Sequence, residues 1–177
     1  FSMATGVALV LGYALLGATW LVMKTRGELA EKARRLAYGA AVATVAAMGV
    51  FSLWTPWLEP LYVERWFGYP TAIFSVIVPL LVLGCLYLIL SGLRSGKDVQ
   101  PFVAALGLFV LGYIGIGISF YPYIVPTSLT IWDAAAPDSS LAFLLVGAAV
   151  LVPIILAYTG YAYWVFRGKI DPDEGYH

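Results

Sequence analysis

The sequence has little charge, one cysteine and one histidine. Only 11% of its 177 residues are Asp, Glu, Lys or Arg, and 62% are apolar, whereas soluble domains have about 25% charged residues. This composition argues against a soluble domain. Ten basic residues balance ten acidic residues, so the chain lacks the positive excess of a nucleic-acid-binding protein, and no nucleic-acid partner is expected.

The scarcity of metal-binding side chains restricts the chemistry of the chain. A single cysteine, Cys85, excludes a disulfide framework and a Cys-based metal site. Haem in a membrane protein needs His, Met, Cys or Tyr ligands, and the one histidine, His177, is the last residue. Met3, Met23 and Met48 are interpreted as packing residues. The sequence therefore predicts no catalytic, cofactor-binding or metal residue in this chain.

Long apolar stretches separate the charged segments. Each is about as long as the 17–25 residues that a helix needs to cross a bilayer. They run over residues 2–23, 36–55, 70–93, 99–121 and 141–166. We predict an all-α integral membrane protein with five transmembrane helices, an antiparallel bundle plus one additional helix. Residues 1–177 are predicted to form a single membrane domain, and because the chain starts at Phe1, we expect it to be part of a longer subunit.

Basic residues mark one side of the membrane. Nine of the ten lie in alternate connections, and only Arg65 lies on the other side. Because Lys and Arg near helix ends are retained in the cytoplasm, the carboxyl terminus is predicted to be cytoplasmic. The connection 24–35 is rich in helix formers and has Glu28 and Lys32 at i,i+4 spacing, so it is predicted to extend the second helix.

Two segments on the predicted outer side differ in composition from the apolar stretches. Residues 56–69 have the composition of a headgroup boundary, and an aromatic ligand box is the alternative. Residues 121–140 are too apolar for a free loop and contain three prolines, so they predict a partner surface. Asp138, Ser139 and Ser140 are the expected N-cap candidates for the fifth helix.

The apolar stretches contain no charged side chain, although ion paths and proton relays depend on ionisable groups in the bilayer. Pro79 and Pro153 fall inside two of the stretches, and broken helices occur at transporter substrate sites. Half of a small-solute transporter is therefore an alternative function. The small-xxx-small pairs Ala8/Gly12, Ala43/Ala47 and Gly115/Ser119 favour close helix contacts.

Four strings spread over most of the chain have a specific sequence. They are GATWL (17–21), KTRGEL (24–29), YPYIVPTSLTIWDAA (121–135) and PIILAYTGYAYWVFRGK (153–169). These strings resemble the second subunit of cytochrome bd-type quinol oxidases, most closely its cyanide-insensitive branch, and are similar to the carboxyl-terminal half of that subunit.

The resemblance implies a subunit of a quinol:oxygen oxidoreductase in the bacterial inner membrane. It implies a partner, subunit I, that carries haem b and haem d, oxidises quinol and reduces oxygen to water. The resemblance also allows a structural quinone in the second subunit, with no motif here for its binding residues. Acidic residues proposed for proton delivery in the family lie in the amino-terminal half, and none transfers to this sequence.

Only structural roles transfer to individual residues. Trp20 is expected to anchor the first helix near the cytoplasmic interface. Trp132 and Asp133 are expected in the outer loop facing neighbouring helices, with Asp133 capping a short helix or accepting a hydrogen bond from the partner. These three residues are the predicted partner-facing positions, and membrane lipid is the other predicted neighbour of the chain.

Overall fold

The chain folds into five long helices and one short β-hairpin among the residues described. The computed structural model describes residues 2–58, 63, 66–68, 71–125 and 128–169. Each helix is long and apolar enough to cross a membrane, which confirms the predicted all-α membrane class. The helices are α1 (Ser2–Lys24), α2 (Gly27–Leu58), α3 (Thr71–Arg94), α4 (Val99–Phe120) and α5 (Asp138–Val165).

Helix α2 begins well before the predicted start at residue 36. It runs for 32 residues from Gly27, which confirms that the charged connection extends the second helix. Glu28 and Lys32 form the expected i,i+4 ion pair at 3.4 Å on an exposed face. Gly27 has φ of 65°, a left-handed conformation that favours glycine at the turn from α1.

Helices α1 to α4 supply the buried core of the first compact unit, which contains the described residues up to Ser119 together with Lys169. On α2 the buried positions Ala33, Ala37 and Ala41 recur every four residues. Small side chains at this spacing allow close helix approach. The other buried apolar residues of this core are Leu15, Ala18, Val22, Val82, Ile89, Leu93, Ala104, Ala105, Leu108 and Leu111.

Glycines mark the closest approaches to α4. A Cβ on Gly12 of α1 would lie 3.1 Å from the Phe109 ring, and one on Gly92 of α3 would lie 3.0 Å from the Pro101 ring. Gly12 belongs to one of the predicted small-residue pairs, and its contact with Phe109 explains why a small residue is needed there.

The aromatic segment after α2 is only partly described. Glu59, Tyr62, Glu64, Arg65 and Tyr69 lie outside the described residues, so the choice between a headgroup boundary and a ligand box stays open. Within the described part, Trp57 and Phe67 are exposed. Trp66 Nε1 donates to Ser119 Oγ at 3.2 Å, and the Ser119 hydroxyl donates to the carbonyl of Gly115 at 2.8 Å.

The second compact unit contains residues Phe120–Gly168. Its hairpin pairs β1 (Tyr123–Val125) antiparallel with β2 (Leu129–Thr130), a feature that the sequence analysis missed. Helix α5 has no buried residue. The capping prediction for Asp138 to Ser140 is wrong, because the N-cap position is Pro137 and no side chain makes a cap hydrogen bond.

Candidate functional site

Trp20 lies in the last turns of α1 and is half-buried. Its ring packs edge-on against Phe102 of α4, with the ring centroids 5.2 Å apart. The ammonium group of Lys24 lies 5.1 Å from the indole centroid, within the range of a cation–π contact. Trp20 therefore joins two helices of its own unit and holds a basic residue at the end of α1, while its partner-facing role stays a prediction.

Trp132 and Asp133 lie directly after strand β2. Trp132 is 63% exposed and packs edge-on against Tyr121 at 6.1 Å. The Asp133 carboxylate accepts a hydrogen bond from the Thr130 hydroxyl at 2.5 Å, and the Asp133 backbone N–H donates to that hydroxyl oxygen at 3.2 Å. Asp133 thus closes a turn rather than the start of a helix, and this turn presents the exposed Trp132 ring.

Helix α5 is apolar on all sides and exposed along its length. Its most apolar 18-residue stretch has a mean hydropathy of 2.7, the highest among the spanning helices of the described chain, and none of its residues is buried. A helix that is hydrophobic all round needs lipid or protein around it. The turn at Trp132 and the surface of α5 are therefore the candidate partner surface of residues Phe120–Gly168.

A polar network that the sequence analysis missed joins the ends of α2, α3 and α4, which we call the basic end. Arg34 donates from Nη1 to the carbonyl of Leu93 at 3.0 Å and from Nη2 to Asp98 Oδ1 at 2.5 Å. The other oxygen of Asp98 accepts from the ammonium group of Lys169. Arg94 donates to the Tyr38 hydroxyl at 3.0 Å. These side chains cross-link helices at the boundary where polar groups are tolerated.

Sequence spacing gave no signal for this network, because Arg34 and Asp98 are 64 residues apart. The only available signal was the concentration of opposite charges in the predicted connections on one side. Among the residues described, no three His, Cys, Asp or Glu side chains lie close enough to hold a metal ion.

Comparisons of the sequence with a family model and with curated proteins indicate the same family. The family model for cytochrome bd terminal oxidase subunit II matches residues 1–166. The chain is 28% identical over 203 residues to the cytochrome bd-I ubiquinol oxidase subunit 2 of Escherichia coli K12, covering 98% of this chain and 54% of that protein. It is 24% identical over 182 residues to the cytochrome bd ubiquinol oxidase subunit 2 of Bacillus subtilis 168, covering 98% and 52%.

A third relative is the probable cytochrome oxidase subunit 2 of Haemophilus influenzae, 24% identical over 183 residues, with 88% of this chain and 48% of that protein covered. The chain therefore spans about half the length of the curated relatives it matches. The family match extends from the first residue through the whole of α5, and it includes the buried core of α1 to α4 and the turn at Trp132. The chain belongs to the cytochrome bd terminal oxidase subunit II family.

Proposed function

We propose that this chain acts as a non-haem structural subunit of a cytochrome bd-type quinol oxidase in the aerobic respiratory chain. In this proposal its partner, subunit I, binds haem b and haem d, oxidises quinol and reduces oxygen to water. The observation that carries the proposal is the family match over residues 1–166. The same match favours an oxidase subunit over the alternative of a small-solute transporter.

The packing of the sulfur-containing side chains supports a non-haem role. A Cβ on Gly107 would lie 3.2 Å from the Cys85 sulfur, and Met48 packs against the buried core. A haem iron needs an axial ligand with open space beside it, and these two sulfurs are engaged in helix contacts. His177 lies outside the described residues. The packing of these two sulfurs therefore supports the proposal, which places the haems in subunit I.

The exposed surface of residues Phe120–Gly168 supports a partner-binding role. Trp132 is held by Tyr121 while most of its own surface is open. Aromatic residues in such positions are often the main contributors to binding energy. We propose that Trp132, together with the apolar surface of α5, contacts subunit I, and that Asp133 holds the turn in the conformation that presents Trp132.

The proposal includes an orientation in the bacterial inner membrane. Nine of the ten basic residues lie on one side, in two connections and in the segment after the fifth helix. The basic end joins these three segments through Arg34, Asp98 and Lys169. The preference of basic residues for the cytoplasmic side supports a cytoplasmic carboxyl terminus.

Co-purification tests this function. The full-length subunit that contains this chain, carrying an affinity tag, is expected to recover a haem-bearing partner and quinol-dependent oxygen uptake. Haem should disappear from the preparation when the partner is removed. Haem retained by the subunit alone, measured by its absorbance after separation, would contradict a non-haem role.

A matched pair of variants tests the partner surface. Trp132→Ala is expected to lower the amount of haem that co-purifies, because loss of a buried aromatic anchor typically weakens binding by about 2 kcal/mol or more. Trp57→Ala is the control, since Trp57 is also an exposed tryptophan, 88% exposed against 63% for Trp132. Equal haem recovery with both variants would remove Trp132 from the interface.

A further inference from the structure

A pocket of about 320 Å³ opens at the basic end, next to the start of α2. Five charged side chains line it, namely Arg26, Glu31, Arg34, Asp98 and Lys169. Among the described residues that line the pocket, three side chains are cationic and two are carboxylates, so these lining residues carry one positive charge in excess. Binding pockets have volumes of about 300–1,000 Å³, and the pocket is therefore large enough for a small polar group.

The ion pairs of the pocket leave hydrogen-bond donors unused. Asp98 is occupied on both oxygens, with Arg34 on one and Lys169 on the other. The guanidinium group of Arg34 uses Nη1 and Nη2 for its two bonds in the described structure. A guanidinium carries five N–H donors and an ammonium three, so Arg34 and Lys169 retain donors for an additional acceptor.

The length of α2 places this pocket near the membrane surface. Its 32 residues extend about 48 Å at 1.5 Å per residue, whereas the hydrocarbon layer is about 30 Å thick. About twelve residues of α2 therefore extend beyond the hydrocarbon. Because the charged residues of α2 lie in its first turns, these twelve residues lie at the start of the helix, next to the pocket. At the start of α2, Gly27 and Ala30 form part of the pocket wall. The space beside Gly27 is open, because a Cβ at this position would meet no atom within 4 Å.

We propose that this pocket binds the phosphate group of an anionic phospholipid headgroup. Phosphate oxygens are suitable acceptors for the remaining donors of Arg34 and Lys169, and the net positive charge favours an anionic over a zwitterionic headgroup. A lipid is favoured over soluble phosphate because the pocket lies at the level of the headgroups, and basic pockets between membrane helices are known to select anionic lipids. The residues of this site are not among those of the proposed surface for subunit I.

Lipid binding by the purified assembly that contains the full-length subunit tests this site. After delipidation, native mass spectrometry measures the binding of phosphatidylglycerol and of phosphatidylcholine with the same acyl chains. We expect phosphatidylglycerol to bind more tightly. Arg26→Gln and Lys169→Gln should each weaken it about five-fold, the effect of one basic residue near a membrane surface. Lys169→Arg, which keeps the charge, should restore binding.

Two control variants change basic residues in the same predicted cytoplasmic segments, at positions that do not line the pocket. Arg35→Gln and Lys97→Gln remove exposed charges and should leave the affinity for phosphatidylglycerol unchanged. Equal affinity for the two lipids, or equal losses in pocket and control variants, would overturn the proposal in favour of diffuse attraction. Displacement of the lipid by millimolar inorganic phosphate, with the same dependence on Arg26 and Lys169, would overturn the lipid assignment and identify a soluble anion.

Discussion

Gly92 offers a direct test of the contact between α3 and α4. A Cβ at this position would lie 3.0 Å from both Cγ and Cδ of Pro101, whereas carbon atoms in contact are normally about 3.5–4.0 Å apart. Pro101 is fully buried and its ring is rigid, so it has little freedom to move away. Gly92→Ala should therefore force the two helices apart at this point.

The size of the effect follows from two opposing contributions. Overpacking in a filled site costs about 1–3 kcal/mol, while alanine is favoured over glycine in a helix by about 0.8–1.0 kcal/mol. Gly84 is the matched control in α3, because a Cβ there would meet no atom within 4 Å. The helix preference is shared by the two substitutions, so the free energy of unfolding of Gly92→Ala should be about 1–3 kcal/mol below that of Gly84→Ala.

Reversible unfolding in detergent or bicelles measures this difference. A second variant separates a clash from other causes, since Pro101→Ala removes the opposing ring and should restore most of the loss when combined with Gly92→Ala. Pro101 lies in the first turn of α4, where its missing N–H is not needed for the helix, so its own replacement should be mild. Equal unfolding free energies for Gly92→Ala and Gly84→Ala would refute the close approach of α3 and α4.

Two further predictions concern the basic end and the orientation. In a double-mutant cycle, Arg34→Gln and Asp98→Asn should show a coupling energy of about 1–2 kcal/mol in the free energy of unfolding. Fully exposed pairs contribute less than about 1 kcal/mol, and this pair should contribute more because both side chains are only about a quarter exposed. Strictly additive effects would mean that the ion pair contributes nothing. For orientation, Ser95→Cys and Ser128→Cys in a Cys85→Ala background are compared with a membrane-impermeant thiol reagent. Intact cells should be labelled at position 128 alone, and labelling at position 95 before permeabilisation would reverse the topology.

The number and approximate positions of the spanning helices were readable from the sequence because charge is confined to short segments. Four of the five predicted helices agree with the structure within three residues at each end. The exception is the start of α2, because the apolar stretch begins at residue 36 whereas the helix begins at Gly27; the i,i+4 spacing of Glu28 and Lys32 predicted this extension. Charged residues indicate where the hydrocarbon layer of the membrane ends, whereas a helix continues for as long as its backbone is hydrogen-bonded.

Long-range and irregular features were not readable. The network at the basic end joins residues far apart in the chain, and residue types alone do not reveal which Arg meets which Asp. The hairpin at Tyr123–Val125 was hidden by neighbouring prolines, which favour turns over strands. The sequence analysis did not identify the small-residue seam of Ala33, Ala37 and Ala41, part of which lies outside the apolar stretch at 36–55.

The contrast between α2 and α5 shows what hydropathy omits. Lipid tails are as apolar as Leu, so helices in a membrane associate through close packing and hydrogen bonds rather than through the hydrophobic effect. Helix α2 has both, in the seam around Ala37 and in the bonds of Arg34. Helix α5 is more hydrophobic yet buries no residue. High hydropathy therefore indicates that α5 is apolar enough to span the membrane, but it does not identify which of its side chains contact protein.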